Sequence, residues 1–315
     1  MAAGTRKVTV VGAGNVGSNT ARRIAESNLT DEVVMIDIVE GLPQGLALDI
    51  NQSSPVEGFE SRVIGTNDYA DTAGSEVVVI TAGLPRKPGM SRMDLLEKNS
   101  EIVKGVTEQI AANSPDTVII VVSNPLDEMT FLASKVSGFP KERVMGMAGV
   151  LDSARLRYFI AEKLNVPPTS VEAITLGSHG DQMVALPGHA TVQGKPLPEL
   201  VDEQTLEELF QRTRDAGAEI VGYLKKGSAF YAPSSSSVAM VKAILADSDE
   251  VLPTCAWTTG QYGISDVYLG VPAKLGTGGV KEIVELDVNE DELAKLREAA
   301  DAIRSKCEEL DKLNS

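Results

Sequence analysis

The sequence predicts an α/β fold: an N-terminal doubly wound parallel sheet over residues 1–147, then a C-terminal α+β domain over 148–315. Three observations predict it. Short β-branched runs alternate with helical patterns through the first half. A Gly-x-Gly-x-x-Gly turn joins the first such run to the first helix. After about residue 148 the alternation gives way to amphipathic helices and strands of alternating polarity. At 315 residues the chain can hold two domains and bury a sizeable core without staples.

Residues 7–11, KVTVV, form the first strand, and Gly12, Ala13, Gly14, Asn15, Val16 and Gly17 follow at once. Residues 18–27 put Ala21, Ile24 and Ala25 on one helical face. Residues 32–37 are a second strand, ending in Asp37. Strand, glycine turn, helix, strand and acid in this order are the Rossmann dinucleotide-binding fingerprint. Gly12 permits the tight turn, Gly14 the approach of a pyrophosphate, and Gly17 close packing of helix on strand. The helix start offers unpaired N–H groups and a positive dipole end to phosphates. Asp37 lies 20 residues past Gly17 (37 − 17), where a carboxylate can accept bonds from ribose hydroxyls. It would repel a 2′-phosphate, and the next residue, Ile38, supplies no cation, so the pattern favours NAD over NADP.

Residues 76–81 and 117–122 are apolar strands ending at Gly83 and at Ser123, Asn124 and Pro125. Residues 143–147 read as one more strand. Between them, 99–113 carry Ile102, Val103, Val106 and Ile110 at helical spacing. Strands this apolar belong in a parallel sheet covered on both faces. Ligands of such sheets sit at the carboxyl ends of the strands, where Gly12, Asp37, Gly83 and Asn124 fall. Further on, 151–164 is an amphipathic helix, 171–176 leads into a turn at His179, and 183–192 alternates like an antiparallel ribbon. Residues 206–224 are a long helix, and the serines at 234–237 read as start residues of a helix over 238–245. Residues 267–271 and 280–286 are strands, and Asn289 with Glu292 resembles a capping box. The last helix puts Leu293, Leu296, Ala300, Ile303, Cys307 and Leu310 on one stripe, for core packing or an intersubunit seam.

The net charge of −16 argues against nucleic acid and anionic membranes, which need basic surfaces. It serves solubility and suits a high-salt setting. No apolar run approaches the ~20 residues of a membrane span. Residues 1–7 lack an apolar signal core, and Cys255 and Cys307 form neither a Cys-x-x-Cys pair nor a metal-ligand spacing. The expectation is a cytoplasmic protein with reduced thiols and no metal.

One of the two histidines, His179, stands in the sequence GSHG. A glycine on either side lets a ligand approach closely, and histidine exchanges a proton near neutral pH. Residues 84–92 form a basic loop in an acidic protein, with Arg86, Lys87 and Arg92 punctuated by Pro85, Pro88 and Gly89. Its place after a nucleotide-fold strand suits a mobile anion-binding lid. Asp152 and Arg155, three apart, share a helix face.

With the glycine turn, Arg86 to Arg92, Ser123-Asn124-Pro125, Leu151 to Arg155 (LDSAR) and Gly177 to Gly180 in this order, the chain resembles the lactate/malate dehydrogenase family over nearly its whole length. The loop LPRKPGMSR at 84–92 resembles the malate-specific, lactate-dehydrogenase-like branch. The resemblance implies NAD as cofactor, His179 as proton acceptor and donor, and Asp152 as its partner. It implies Arg86, Arg92 and Arg155 on a dicarboxylate, malate or oxaloacetate, and Asn124 on substrate and cofactor. It also implies Asn99, Val122 and Ser123 along the nicotinamide, a step in the tricarboxylic acid cycle, and a homo-oligomer, a tetramer more than a dimer. L-Lactate dehydrogenase and an inactive nucleotide-binding homologue stay open as alternatives.

Overall fold

The computed structural model describes residues 5–84 and 92–313. The first half holds β1 (Lys7–Val11), α1 (Asn15–Glu26), β2 (Glu32–Ile36), α2 (Leu42–Glu57), β3 (Arg62–Thr66), β4 (Val77–Ile80), α3 (Arg92–Asn113), β5 (Val118–Val121), α4 (Leu126–Ser137) and β6 (Val144–Gly146). The second holds α5 (Gly149–Leu164), β7 (Val171–Glu172), β8 (Thr175–Gly177), β9 (Met183–Ala185), β10 (Thr191–Val192), β11 (Lys195–Pro196), α6 (Glu203–Leu224), α7 (Tyr231–Ala246), β12 (Val251–Thr259), β13 (Ser265–Gly276), β14 (Gly279–Ile283) and α8 (Glu290–Leu313).

The first six strands lie in the order β3-β2-β1-β4-β5-β6, every pair parallel, as a doubly wound sheet requires. The order reverses between β1 and β4, so a crevice opens at their carboxyl ends. The apolar runs explain why both faces are covered. Val8, Val10, Val77, Val79, Val118 and Ile120 face one core, while Val11, Val78, Ile80, Ile119 and Val121 face another. A strand packed on two cores has little room for polar residues, and the buried Thr9 of β1 is satisfied by Ser75 Oγ at 2.7 Å.

The sheet continues past β6 through antiparallel β12, β13, β8 and β9, with β14 on β13. A separate sheet of β11, β10 and β7 packs with α5 and α6 around Leu156, Phe159, Ile160, Val192 and Leu209. The stripe of α8 is core: Leu296, Ala300, Ile303 and Leu310 are fully buried within the chain. Its start is the capping box, with Glu292 N–H on Asn289 Oδ1 at 2.9 Å and Asn289 N–H on Glu292 Oε2 at 2.8 Å.

Several elements depart from the sequence pattern. Helix α1 starts at Asn15, not 18, so the end of the glycine turn is itself its first turn. The serines at 234–237 lie inside α7, which starts at Tyr231. Their hydroxyls donate to carbonyls of the preceding turn, from Phe230 to Pro233, which lets Ser234, Ser236 and Ser237 bury in the core while Ser235 faces outward. The alternating 183–192 segment is divided: β9 joins the main sheet and β10 the small one, with a short 3₁₀ turn at Pro187–His189 between them. Helices α2 and α4 and strands β3 and β12 extend the pattern.

Candidate active site

At the end of β1, Gly12 takes φ +100°, where an L side chain is strained. A Cβ on Gly17 would stand 1.8 Å from the Gly12 carbonyl oxygen, so only glycine lets α1 rest on the turn. Gly14 caps α1 without a side-chain hydrogen bond, and nothing crowds the place of its Cβ. Gly14 and Asn15 are exposed, and Val16 is half-buried. The first amides of α1 thus have an open approach and no capping acceptor, which fits a pyrophosphate. Asp37, just past β2, bends into the same turn: Oδ2 accepts the Ala13 N–H at 2.7 Å and Oδ1 the Val39 N–H at 3.0 Å. These residues fit a bound dinucleotide.

At the next carboxyl ends, Asn99 of α3 braces two loops. Its Oδ1 accepts the Leu84 N–H at 2.8 Å, and its Nδ2 donates to the Asn124 carbonyl at 2.6 Å. Ser123 donates to the Ala82 carbonyl at 2.5 Å, and the Val122 N–H to the Ile80 carbonyl at 2.9 Å. The side chain of Asn124 is exposed at this edge.

His179 follows β8, and glycine pairing sets its turn. Gly177 takes φ +86° and lies opposite Gly270 of β13; a Cβ on Gly270 would stand 2.4 Å from the Gly177 oxygen. The imidazole Nδ1 lies 2.9 Å from Asp152 Oδ2. Asp152, in the first turn of α5, has the Arg155 guanidinium on its other oxygen and so acts as acceptor, and this network assigns the proton to Nδ1 and leaves Nε2 to accept. Burial pulls the His179 pKa down, but the charge and hydrogen bond of Asp152 outweigh it, and the net shift is upward. Arg155 Nη1 stands 3.4 Å from Asp152 Oδ1. Burial lowers the Arg155 pKa against the pull of Asp152. Its Nε is buried without a hydrogen-bond partner among the described residues, an orphan donor that suits an incoming carboxylate.

Sequence reasoning missed Asp127, in the first turn of α4. Its Oδ2 accepts the Ser178 hydroxyl at 2.6 Å and the His179 N–H at 3.2 Å, and its Oδ1 accepts the Cys255 thiol at 3.3 Å. The signal available was an acid three residues past Asn124 (127 − 124), inside an apolar helix. Arg86 and Lys87 lie outside the described residues, and Arg92 opens α3, its side chain likewise outside them.

The model of the lactate/malate dehydrogenase NAD-binding domain matches residues 6–146, and that of the family's α/β C-terminal domain matches 149–313. The chain belongs to the lactate/malate dehydrogenase family. It is 54% identical over 307 residues to a curated malate dehydrogenase of Salinibacter ruber, covering 98% of each chain. Among solved structures, a Salinibacter ruber malate dehydrogenase matches with TM-score 0.94 at 51% identity over 98% of both chains. A Cryptosporidium parvum lactate dehydrogenase complexed with lactic acid and nicotinamide adenine dinucleotide also gives 0.94, at 41% identity, covering 98% of this chain and 99% of that one. The backbone is therefore shared with a malate and a lactate dehydrogenase alike, and the NAD-binding half carries the fingerprint described above. Substrate choice within the family rests on side chains.

If the glycine pair sets the His179 turn, Gly270→Ala must push that turn away from Asp152. The variant is expected to bind NADH as the wild type does and to lose about 100-fold in turnover. Fluorescence titration and steady-state rates check this, and unchanged turnover would remove the pair's role.

Proposed function

We propose that the chain is an NAD-dependent malate dehydrogenase interconverting (S)-malate and oxaloacetate. The observation that carries the dehydrogenase chemistry is the buried array in which Asp152 meets His179 Nδ1 at 2.9 Å and Arg155 at 3.4 Å, and the 54% identity to a curated malate dehydrogenase supports malate as the substrate. Oxidation of the alcohol removes a hydride and a proton, and NAD supplies the hydride acceptor when bound. His179 takes the hydroxyl proton at Nε2 and returns it in the reverse direction. Asp152 fixes the tautomer and stabilises the imidazolium. Arg155 holds the carboxylate beside the reacting carbon through parallel bonds that a lysine could not match. Arg92 polarises the carbonyl oxygen. Asn124 contacts substrate and cofactor, while Asn99, Val122 and Ser123 line the nicotinamide side. Gly12, Ala13, Gly14, Asn15, Val16 and Gly17 hold the pyrophosphate, and Asp37 the ribose.

Oxaloacetate carries a second carboxylate where pyruvate carries a methyl. Arg155 serves the first, and the second needs its own cation in a water-poor site. Arg86, six residues before Arg92 (92 − 86), fills that role. The reading divides the chain into an NAD domain at 1–147 and a substrate domain at 148–315. It assigns the protein to the cytoplasm and the tricarboxylic acid cycle.

The same reading makes the protein a homo-oligomer, a tetramer rather than a dimer. Support comes from α2 and the loop before it, where Ile38, Val39, Leu48 and Val56 are each exposed. Light scattering is expected to give four times the 33.4 kDa chain mass; a monomer would end the proposal and a dimer would correct it.

Losing one partner of a buried charge-assisted pair costs about 2–5 kcal/mol, or roughly 30-fold to a few thousand-fold in kcat/KM. Arg86→Gln is expected to lose that factor with oxaloacetate and to gain on pyruvate, while Lys87→Gln changes little. The measurement is kcat/KM for both keto acids with NADH and all three proteins. A wild type preferring pyruvate, or an Arg86→Gln protein keeping its original margin for oxaloacetate, contradicts the assignment.

A further inference from the structure

We propose that Asp127 is a positioning residue for His179: its carboxylate clamps the Ser178–His179 backbone and adds a second negative charge behind the imidazole. The proposal rests on the reading of His179 as the proton acceptor. It begins from a geometric fact. The imidazole ring is held on one side by Asp152 at Nδ1, and its own backbone N–H is held by Asp127 Oδ2 at 3.2 Å. The Ser178 hydroxyl, at 2.6 Å, grips the same oxygen. One carboxylate oxygen therefore fixes two successive residues of a turn whose glycines would otherwise leave it loose. Asp127 is also three residues past Asn124 (127 − 124), so the clamp ties the carboxyl end of β5 to the histidine of the other half of the chain.

A structural role alone would not need a charge. A neutral acceptor would satisfy Ser178 and His179 equally well, and burying an ionised carboxylate among neutral donors is costly. Asp127 is 3% exposed, and its partners are a hydroxyl, an amide and a thiol. Among the described residues, the charged and titratable groups around the pair are Glu128 on α4, Asp152 and Arg155 on α5, His179 itself, Cys255 on β12, and Cys307 with Lys306 on α8. Lys306 stands 3.7 Å from Glu128, and among the described residues no direct cation contact offsets Asp127. Burial pushes the Asp127 carboxyl up to about 6; the Ser178 bond opposes this, Glu128 adds to it, and His179 and Cys255 oppose it. Its charge in turn raises the His179 pKa, after burial, Asp152 and Arg155 have acted.

A carboxyl raised on folding stabilises the fold most below its unfolded pKa, near 3.8, and that contribution is gone above about 6. Ionised Asp127 is thus a burden on the fold at pH 8, and its use lies in the site. Asp127→Asn keeps one oxygen for both donors of the turn and removes the charge.

The test measures malate oxidation against pH, NADH binding and Tm at pH 8 for Asp127→Asn, Ser178→Ala and His179→Asn. In Asp127→Asn the acid limb of kcat/KM is expected to move to lower pH, because neutral His179 is easier to reach. Its kcat should fall about tenfold or more, with NADH affinity unchanged and Tm at or above that of the wild type. Ser178→Ala should lower kcat at unchanged NADH affinity, and it decides the matter if Asp127→Asn does not fold. An Asp127→Asn profile with an unmoved acid limb, or a Tm that falls together with the rate, overturns the proposal. So does a Ser178→Ala enzyme with wild-type kcat. His179→Asn separates the two readings: if it stays active, the role of His179 fails irrespective of Asp127.

Discussion

The proton of the His179 imidazole is held by a carboxylate that water scarcely reaches, and the rest of the site depends on that bond. Asp152 is 3% exposed in its side chain, and Nδ1 of His179 is 2.9 Å away. Buried in this way, an ion pair is worth having only if its geometry is close and its other lone pairs are occupied. Asp152 meets this with Arg155 on its second oxygen. The same carboxylate thus orients the group proposed for the proton and the group proposed for the substrate carboxylate. The backbone must then hold the histidine still. Gly177 against Gly270 allows β8 to lie close on β13, and Asp127 grips the turn from below.

The dinucleotide half reaches its geometry by a separate route. Its strands are buried on both faces, so their polar ligands can come only from the loops at their carboxyl ends. Gly12 and Gly17 bring α1 onto the turn, and Asp37 ties the turn to β2. The two halves meet where α4 begins. Asn124 is exposed just before the helix, and Asp127, in its first turn, holds His179. A dinucleotide loop and the turn proposed for proton transfer, built on different halves of the chain, are thereby put in register.

Much of this was legible in the residues because the local rules agree with the global fold. The glycine turn, the apolar runs of β1, β4 and β5, the capping box of α8 and the GSHG turn each have a short-range cause. Helix α2 did not announce itself because Leu48 and Val56 point outward, which blurs the helical period. The serines of α7 looked like a helix start because side chains that bond the preceding turn cannot be told from caps without the backbone. Asp127 was missed for a different reason. Its partners, Ser178, His179 and Cys255, are 51 to 128 residues away, so an acid in an apolar helix past Asn124 marks burial without naming its donors.

The central claim, that Asp152 holds His179 as a proton acceptor of raised pKa, can be tested on the histidine itself. The chain has two histidines, His179 and His189, so a histidine-labelled sample gives two ring signals, assigned with His179→Asn. The account predicts that the His179 signal titrates above the ordinary value of about 6.5 and falls in Asp152→Asn, because burial then acts unopposed by that charge. A His179 that titrates at or below 6.5 in the wild type, or that is unmoved in Asp152→Asn, would contradict it.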